Sequence, residues 1–226
     1  MMKGWFVTGT DTGVGKTCVS VALMHALRAR GLCVQGMKPI ASGCVATPAG
    51  LRNADAEQLL AAASYPVPYP RVNPYAFEPA VAPHIAAHRA RVRLDLEHIT
   101  AMAHTLAAQA DCLVVEGVGG WRVPLVGTMG VNDMAVRLGL PVILVVGLRL
   151  GCINHALLTS ESIERSGLPL AGWVANLVDA QMEMVAESVQ DLSVRLPAPL
   201  LGVIPYLHGR PPQQAAPALN LDPLLP

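Results

Sequence analysis

Apolar residues along this chain come in two alternating rhythms: short unbroken runs, and runs spaced three or four apart. Unbroken runs of a few residues read as buried strands, and the wider spacing reads as helices with one apolar side. Residues 5–8 (WFVT) are of the first kind and lead straight into the glycine-rich stretch GTDTGVGKT at residues 9–17. After Lys16, the residues Val19, Ala22, Leu23, Ala26 and Leu27 fall at helical spacing, with Gly31 as a C-terminal cap. Residues 33–37 read as a second strand that ends at Lys38 and Pro39. A helix starts at Asp95 and carries Ile99, Met102, Ala103 and Leu106 on one face. Unbroken runs at 112–115, 141–146, 172–175 and 201–204 give four more strands, with helices near 154–166 and 181–195.

Short apolar strands alternating with amphipathic helices imply right-handed crossovers and a parallel sheet. The expected fold is a single α/β domain over residues 1–226, a mostly parallel sheet flanked by helices. Residues 41–93 break the rhythm with Pro66, Pro68, Pro70, Pro74, Pro79 and Pro83, and read as loops and short helices laid over one end of the sheet. Residues 208–226 are Pro-rich and read as an irregular tail.

Composition narrows the function. The formal net charge is +0, so no basic surface is available for nucleic acid or an anionic membrane. A bound anion must be gripped by a few local groups. The longest apolar run, around residues 140–148, is far shorter than the roughly 20 residues of a membrane span. Cys18, Cys33, Cys44, Cys112 and Cys152 show no metal spacing, and their odd number suits reduced thiols. With no signal-like run at the start, the expectation is a soluble, cytoplasmic protein.

The stretch at 9–17 ends in G-K-T, but the strict phosphate-loop pattern would place its first glycine at position 10, where Thr10 stands. A strand before it and a helix after it favour a phosphate loop over a simple turn with a surface lysine. In that reading the fold is of the P-loop nucleoside triphosphate hydrolase type. Gly13 and Gly15 let backbone N–H groups turn inward, and the helix start adds its partial positive charge. Lys16 reaches the β- and γ-phosphates, and Thr17 offers a hydroxyl to Mg²⁺.

Glu116 ends an apolar strand, where an acidic magnesium ligand or a plain solvated carboxylate would both sit; the flexible turn Gly117, Val118, Gly119, Gly120 favours the former. Lys38 at another strand end would neutralise charge developing in phosphoryl transfer, and Ser42 four residues on could hold an anion. The segment 147–154 feeds a helix whose N-terminus is a second anion site. Asp55 alone is an ordinary acid. His84 and His88 share a helix face but lack a third ligand, so a metal site there is not expected. No G-x-S-x-G elbow and no G-x-G-x-x-G turn follows the first strand, which argues against an α/β-hydrolase and a dinucleotide fold.

The blocks GTDTGVGKT, KPIASGC, NPYAFEPAVAPH, EGVGGWRVPL, LPVILVVGLRLGCINHALLT, LAGWVAN and LLGVIP occur in this order and spacing in dethiobiotin synthetase, which the chain resembles over about residues 5 to 207. That family's loop also carries the extra residue, so Thr10 is no defect. The resemblance implies ATP- and Mg²⁺-dependent conversion of 7,8-diaminononanoate and CO₂ to dethiobiotin through a carbamate and a carbamic–phosphoric anhydride. It implies a phosphate cradle of Gly13, Val14, Gly15, Lys16, Thr17 and Cys18, with Glu116, Gly117, Val118 and Gly119 beside it. Mg²⁺ would be held by Thr17, Asp55 and Glu116. Lys16, Lys38, Thr12 and Ser42 would act on the diamine and its carbamate. Gly151, Cys152, Ile153 and Asn154 would take the distal carboxylate across a homodimer interface, and Asn176, Leu177, Pro205, Tyr206 and Leu207 the adenine. Some members of the family have an acid where this loop has Gly13, so any contact from that acid is absent here.

Three other readings share some of these features. A partitioning or division-site ATPase carries a signature loop lysine where this chain has Asp11. A cobalamin-type amidoligase needs a glutamine-hydrolysing domain for which 226 residues leave no room. A non-catalytic binding module leaves Lys38 and Glu116 unexplained.

Overall fold

The computed structural model describes residues 2–225; Met1 and Pro226, the ends of the expected domain, lie outside the described residues. Strand β1 (Gly4–Gly9) is followed by helix α1 (Lys16–Ala29) and strand β2 (Val34–Met37). Short pieces come next: β3 (Ile40–Ser42), the hairpin β4 (Val45–Thr47) and β5 (Gly50–Arg52), then helices α2 (Ala54–Ala62) and α3 (Tyr69–Val72), strand β6 (Tyr75–Phe77) and helix α4 (Pro83–Arg89). Helix α5 (Leu96–Ala107) leads to β7 (Cys112–Glu116), the small hairpin β8 (Pro124–Val126) and β9 (Met129–Gly130), and helix α6 (Val131–Leu138). The chain closes with β10 (Val142–Leu148), α7 (Cys152–Glu164), β11 (Leu170–Leu177), α8 (Val185–Arg195) and β12 (Leu200–Ile204).

Six strands form the central sheet in the order β12-β11-β10-β1-β7-β2, and every neighbouring pair is parallel. All seven residues of β10 are buried, because helices cover both of its faces. The period of two divides each strand between the layers. Trp5, Val7, Ile143, Val145 and Val174 pack with α1 and α2, while Phe6, Leu144, Val146 and Trp173 pack with α5, α6 and α7.

Some elements left no trace in the apolar rhythm. Helix α6 is short, and β3, β4, β5, β6, β8 and β9 have two or three residues each, too few for a period to show. The 3₁₀ turn Pro212–Ala218 seats Ala215 in the layer that contains α1, and Leu221, just beyond the turn, joins it there. Asn220 N donates to Leu201 O at 2.7 Å, so this stretch is tied to β12. Among the described residues no helix is long and apolar enough to cross a membrane.

β1 lies in the middle of the sheet, with β10 on one side and β7 on the other. The chain leaves β1 toward β2 at one edge and later returns to β10, so the order reverses at β1. Parallel sheets open a crevice at such a reversal, outside the carboxyl ends of the strands. The 9–17 stretch begins there.

Candidate active site

Gly13 (φ 76°) and Gly15 (φ 84°) carry the chain from β1 into α1 through left-handed conformations. Gly15 is the N-cap of α1 and offers no side chain, so the first N–H groups of the helix stay free to receive an anion. Asn176, at the end of β11, braces the loop: its Nδ2 donates to Val14 O at 2.9 Å.

Lys38, Glu116, Thr17 and Asp55 converge beside that loop from four separate segments. Glu116 is 1% exposed. Its Oε1 accepts from Lys38 Nζ at 2.5 Å and from Thr17 Oγ1 at 2.9 Å. Lys38 Nζ also donates to Gly117 O at 3.1 Å and lies 3.3 Å from Asp55 Oδ2. Burial pulls the Lys38 ammonium toward neutrality, but the charges of Glu116 and Asp55 outweigh it and hold its pKa above the ordinary lysine value. Lys16 has no such carboxylate in contact. Its Nζ donates to Asp11 O at 2.9 Å, and burial, helped by the Lys38 charge, pushes its pKa down to about 8.

Thr12, Gly13, Gly15, Lys16, Thr17, Lys38, Ser42, Asp55, Glu116, Val118 and Gly119 line one cavity of about 710 Å³. Two of its polar atoms, Glu116 Oε2 and Ser42 Oγ, are buried with no hydrogen-bond partner among the described residues. Buried polar atoms are otherwise almost always paired, so both are poised for a bound group. Among the described residues no three His, Cys, Asp or Glu side chains gather into a metal cluster. Glu116, Asp55 and the Thr17 hydroxyl do supply hard oxygen donors. A small divalent cation there would complete its shell with phosphate oxygens and water, as Mg²⁺ prefers.

Other expected site residues lie apart from that cavity in this chain. Gly151, Cys152 and Ile153 line a second cavity of about 490 Å³ with Arg149 and Asp179, and Asn154 follows in the first turn of α7. Pro205, Tyr206 and Leu207 come directly after β12, and Leu177 ends β11. Tyr206 meets His208 edge-on with ring centroids 4.7 Å apart. Cys18 is half-buried on α1, and burial pushes its thiol up to about 11.

The structure adds residues that pattern reading passed over. Asn53 caps α2 by accepting from Asp55 N and Ala56 N, a signal legible as an Asn just before a helix. Arg149 Nη2 lies 2.6 Å from Asp11 Oδ2, joining the phosphate loop to the segment before α7. Nothing in the local pattern marks that pair.

The loop, its lysine and the strand-end carboxylate on a parallel sheet define a phosphate-loop nucleotide-binding protein, and residues 3–214 match the family model described as an AAA domain. The septum site-determining protein MinD of Pyrococcus horikoshii, complexed with Mg-ADP, superposes with a TM-score of 0.54 at 18% identity, over 91% of this chain and 82% of that one. A chain of the MinC:MinD cell division protein complex of Aquifex aeolicus superposes at 0.55 and 19% identity, over 90% and 81%. At such identities the likeness is one of fold. Sequence likeness goes further. This chain is 53% identical to the ATP-dependent dethiobiotin synthetase BioD of Pseudomonas paraeruginosa over 99% of its own length and 98% of that protein. It is 50% identical to the protein of the same name from Cellvibrio japonicus, again over 99% and 98%. The chain belongs to the dethiobiotin synthetase family.

Proposed function

We propose that this protein is a cytoplasmic ligase of biotin synthesis that closes the ureido ring of dethiobiotin, from 7,8-diaminononanoate, CO₂ and ATP, with release of ADP and phosphate. One amine adds to CO₂ and loses a proton, giving a carbamate. The carbamate oxygen attacks the γ-phosphorus of ATP and ADP leaves, giving a carbamic–phosphoric anhydride. The second amine attacks the carbonyl carbon, phosphate departs, and the amine proton is lost to solvent.

The observation that carries this reading is the second lysine. A nucleotide switch needs Lys16, but a carbamate approaching a triphosphate brings two anions together, and Lys38 puts a buried ammonium in the same cavity. Thr17, Asp55 and Glu116 would hold Mg²⁺, which would supply positive charge to offset that of the phosphates. Thr12 and Ser42 orient the diamine, and the unpartnered Ser42 Oγ suits a carbamate or amine. Gly13 to Cys18 and Gly117 to Gly119 enclose the phosphates. Asn176, Leu177, Pro205, Tyr206 and Leu207 hold adenine. Gly151, Cys152, Ile153 and Asn154 receive the distal carboxylate of substrate bound in the partner subunit of a homodimer.

The direct test is phosphate release from Mg-ATP with bicarbonate, with and without the diamine, alongside mass detection of dethiobiotin. Release that depends on both bicarbonate and diamine is expected. Release that ignores the diamine would sink the proposal and leave a nucleotide switch.

Lys16 also sets a pH response. Its folded pKa near 8 lies below the unfolded value of 10.5. ATP needs the protonated form, so above pH 8 binding must take up a proton, and affinity falls by up to about tenfold per pH unit. Titration calorimetry from pH 7 to 9.5 checks this. In K16R the guanidinium stays charged, and the slope should vanish.

A further inference from the structure

Lys38 and Asp55 come from different segments, yet both rest on one buried phenol. Tyr69, 7% exposed, lies on α3; its hydroxyl accepts from Asn53 N at 2.8 Å and donates to Asn73 Oδ1 at 3.0 Å. On one side, Asn53 Oδ1 accepts from Asp55 N at 3.1 Å and from Ala56 N at 3.2 Å, which fixes the first turn of the helix that bears Asp55. On the other side, Asn73 Nδ2 donates to Lys38 O at 2.7 Å and to Tyr75 O at 3.3 Å. Lys38 N in turn donates to Val72 O at 2.9 Å. The backbone of Lys38 is therefore held at both its polar groups by residues 72 and 73. It has no help from the next residue, because Pro39 has no N–H to offer. The Arg52 guanidinium covers the Tyr69 ring at 4.0 Å and pairs with Glu57 at 3.1 Å, which closes the ring's exposed side.

One continuous line of hydrogen bonds runs from Lys38 O through Asn73 and Tyr69 to Asn53 and the start of α2. A buried relay of this kind fixes geometry more tightly than its separate bonds would. Asn53 lines the Lys38 cavity, but among the described residues none of the relay's hydrogen bonds runs to the phosphate loop or to the expected adenine residues. On the reading that Lys38 and Asp55 serve carbamate phosphorylation, we infer that Tyr69, with Asn73 and Asn53, is the positioning residue that holds Lys38 and Asp55 in mutual register.

The test is Tyr69→Phe, which removes only the hydroxyl, in the full-length protein. Turnover of diamine-dependent phosphate release should fall by about tenfold, while the dissociation constant of ATP measured without Mg²⁺, where Asp55 plays no part, stays within about twofold. A second readout does not depend on the reaction. The chain's lysines are Lys3, Lys16 and Lys38, so acetic anhydride labelling read by mass spectrometry reports each one. Lys38, locked to Glu116, should be the slowest in the unaltered protein. In Y69F its labelling should rise several-fold, with Lys16 unchanged. The double variant Y69F/N73A should cost little more than the worse single change, because the two act as one unit.

Equal rises at Lys16 and Lys38 would mean general loosening and would overturn the inference. So would an unchanged Lys38 rate, whatever the turnover does, or additive losses in the double variant. If the unaltered protein shows no diamine-dependent release, the proposed reaction fails, and the labelling comparison alone decides the relay.

Discussion

Replacing Lys38 with methionine is expected to lower diamine-dependent turnover by about a thousandfold, while ATP binding weakens far less. Methionine keeps the length and the apolar stem of the side chain but removes the charge that would meet both carbamate and γ-phosphate. The same change removes the ammonium that Glu116 Oε1 meets at 2.5 Å. Glu116 is then a buried carboxylate with only the Thr17 hydroxyl against it, and breaking a buried pair in this way costs about 3–5 kcal/mol. Urea unfolding of the variant against the unaltered protein measures that loss. Adding Glu116→Gln to Lys38→Met should restore much of the stability and none of the activity, which separates the two roles. Turnover within about tenfold of the unaltered protein would exclude Lys38 from the chemical step.

Gly15→Ala is expected to act on the nucleotide instead, weakening ATP by about a hundredfold. The φ of 84° at this position already disfavours a side chain. A Cβ there would lie 2.1 Å from Asn176 Nδ2. Asn176 cannot simply swing away, because it is 6% exposed and bonded to Val14 O. The free loop relaxes into some other shape, and binding must then restore the strained one, so the cost falls on affinity. Equilibrium dialysis with ATP gives the number. Unchanged affinity would mean that the loop binds phosphate in a conformation other than this one.

The strands of the central sheet and the long helices were legible in the chain because each is a local pattern. Val142–Leu148 reads as a buried strand from seven adjacent side chains, and α1 from the spacing of Val19, Leu23 and Leu27. Asp55 was different. It lies in the stretch that reads only as loops and short helices, and nothing local distinguishes a carboxylate that faces Lys38 at 3.3 Å from one in water. Tyr69 and Asn73 were less legible still, lying among prolines where no period of two or 3.6 develops. Arg149 gave no signal of its contact with Asp11, 138 residues away.

What the sequence by itself determined is the class of fold, the phosphate loop and the likeness to a family. Those rest on apolar periodicity, glycine placement and residue order, all carried along the chain. Only the tertiary structure decided that Lys38, Glu116, Thr17 and Asp55 share a single knot of charge, and that Tyr69 lies behind it. Charge pairing and hydrogen bonding act over about 3 Å in space. Thr17 and Glu116 are 99 residues apart in the chain and 2.9 Å apart in the fold, and no local pattern encodes that closure.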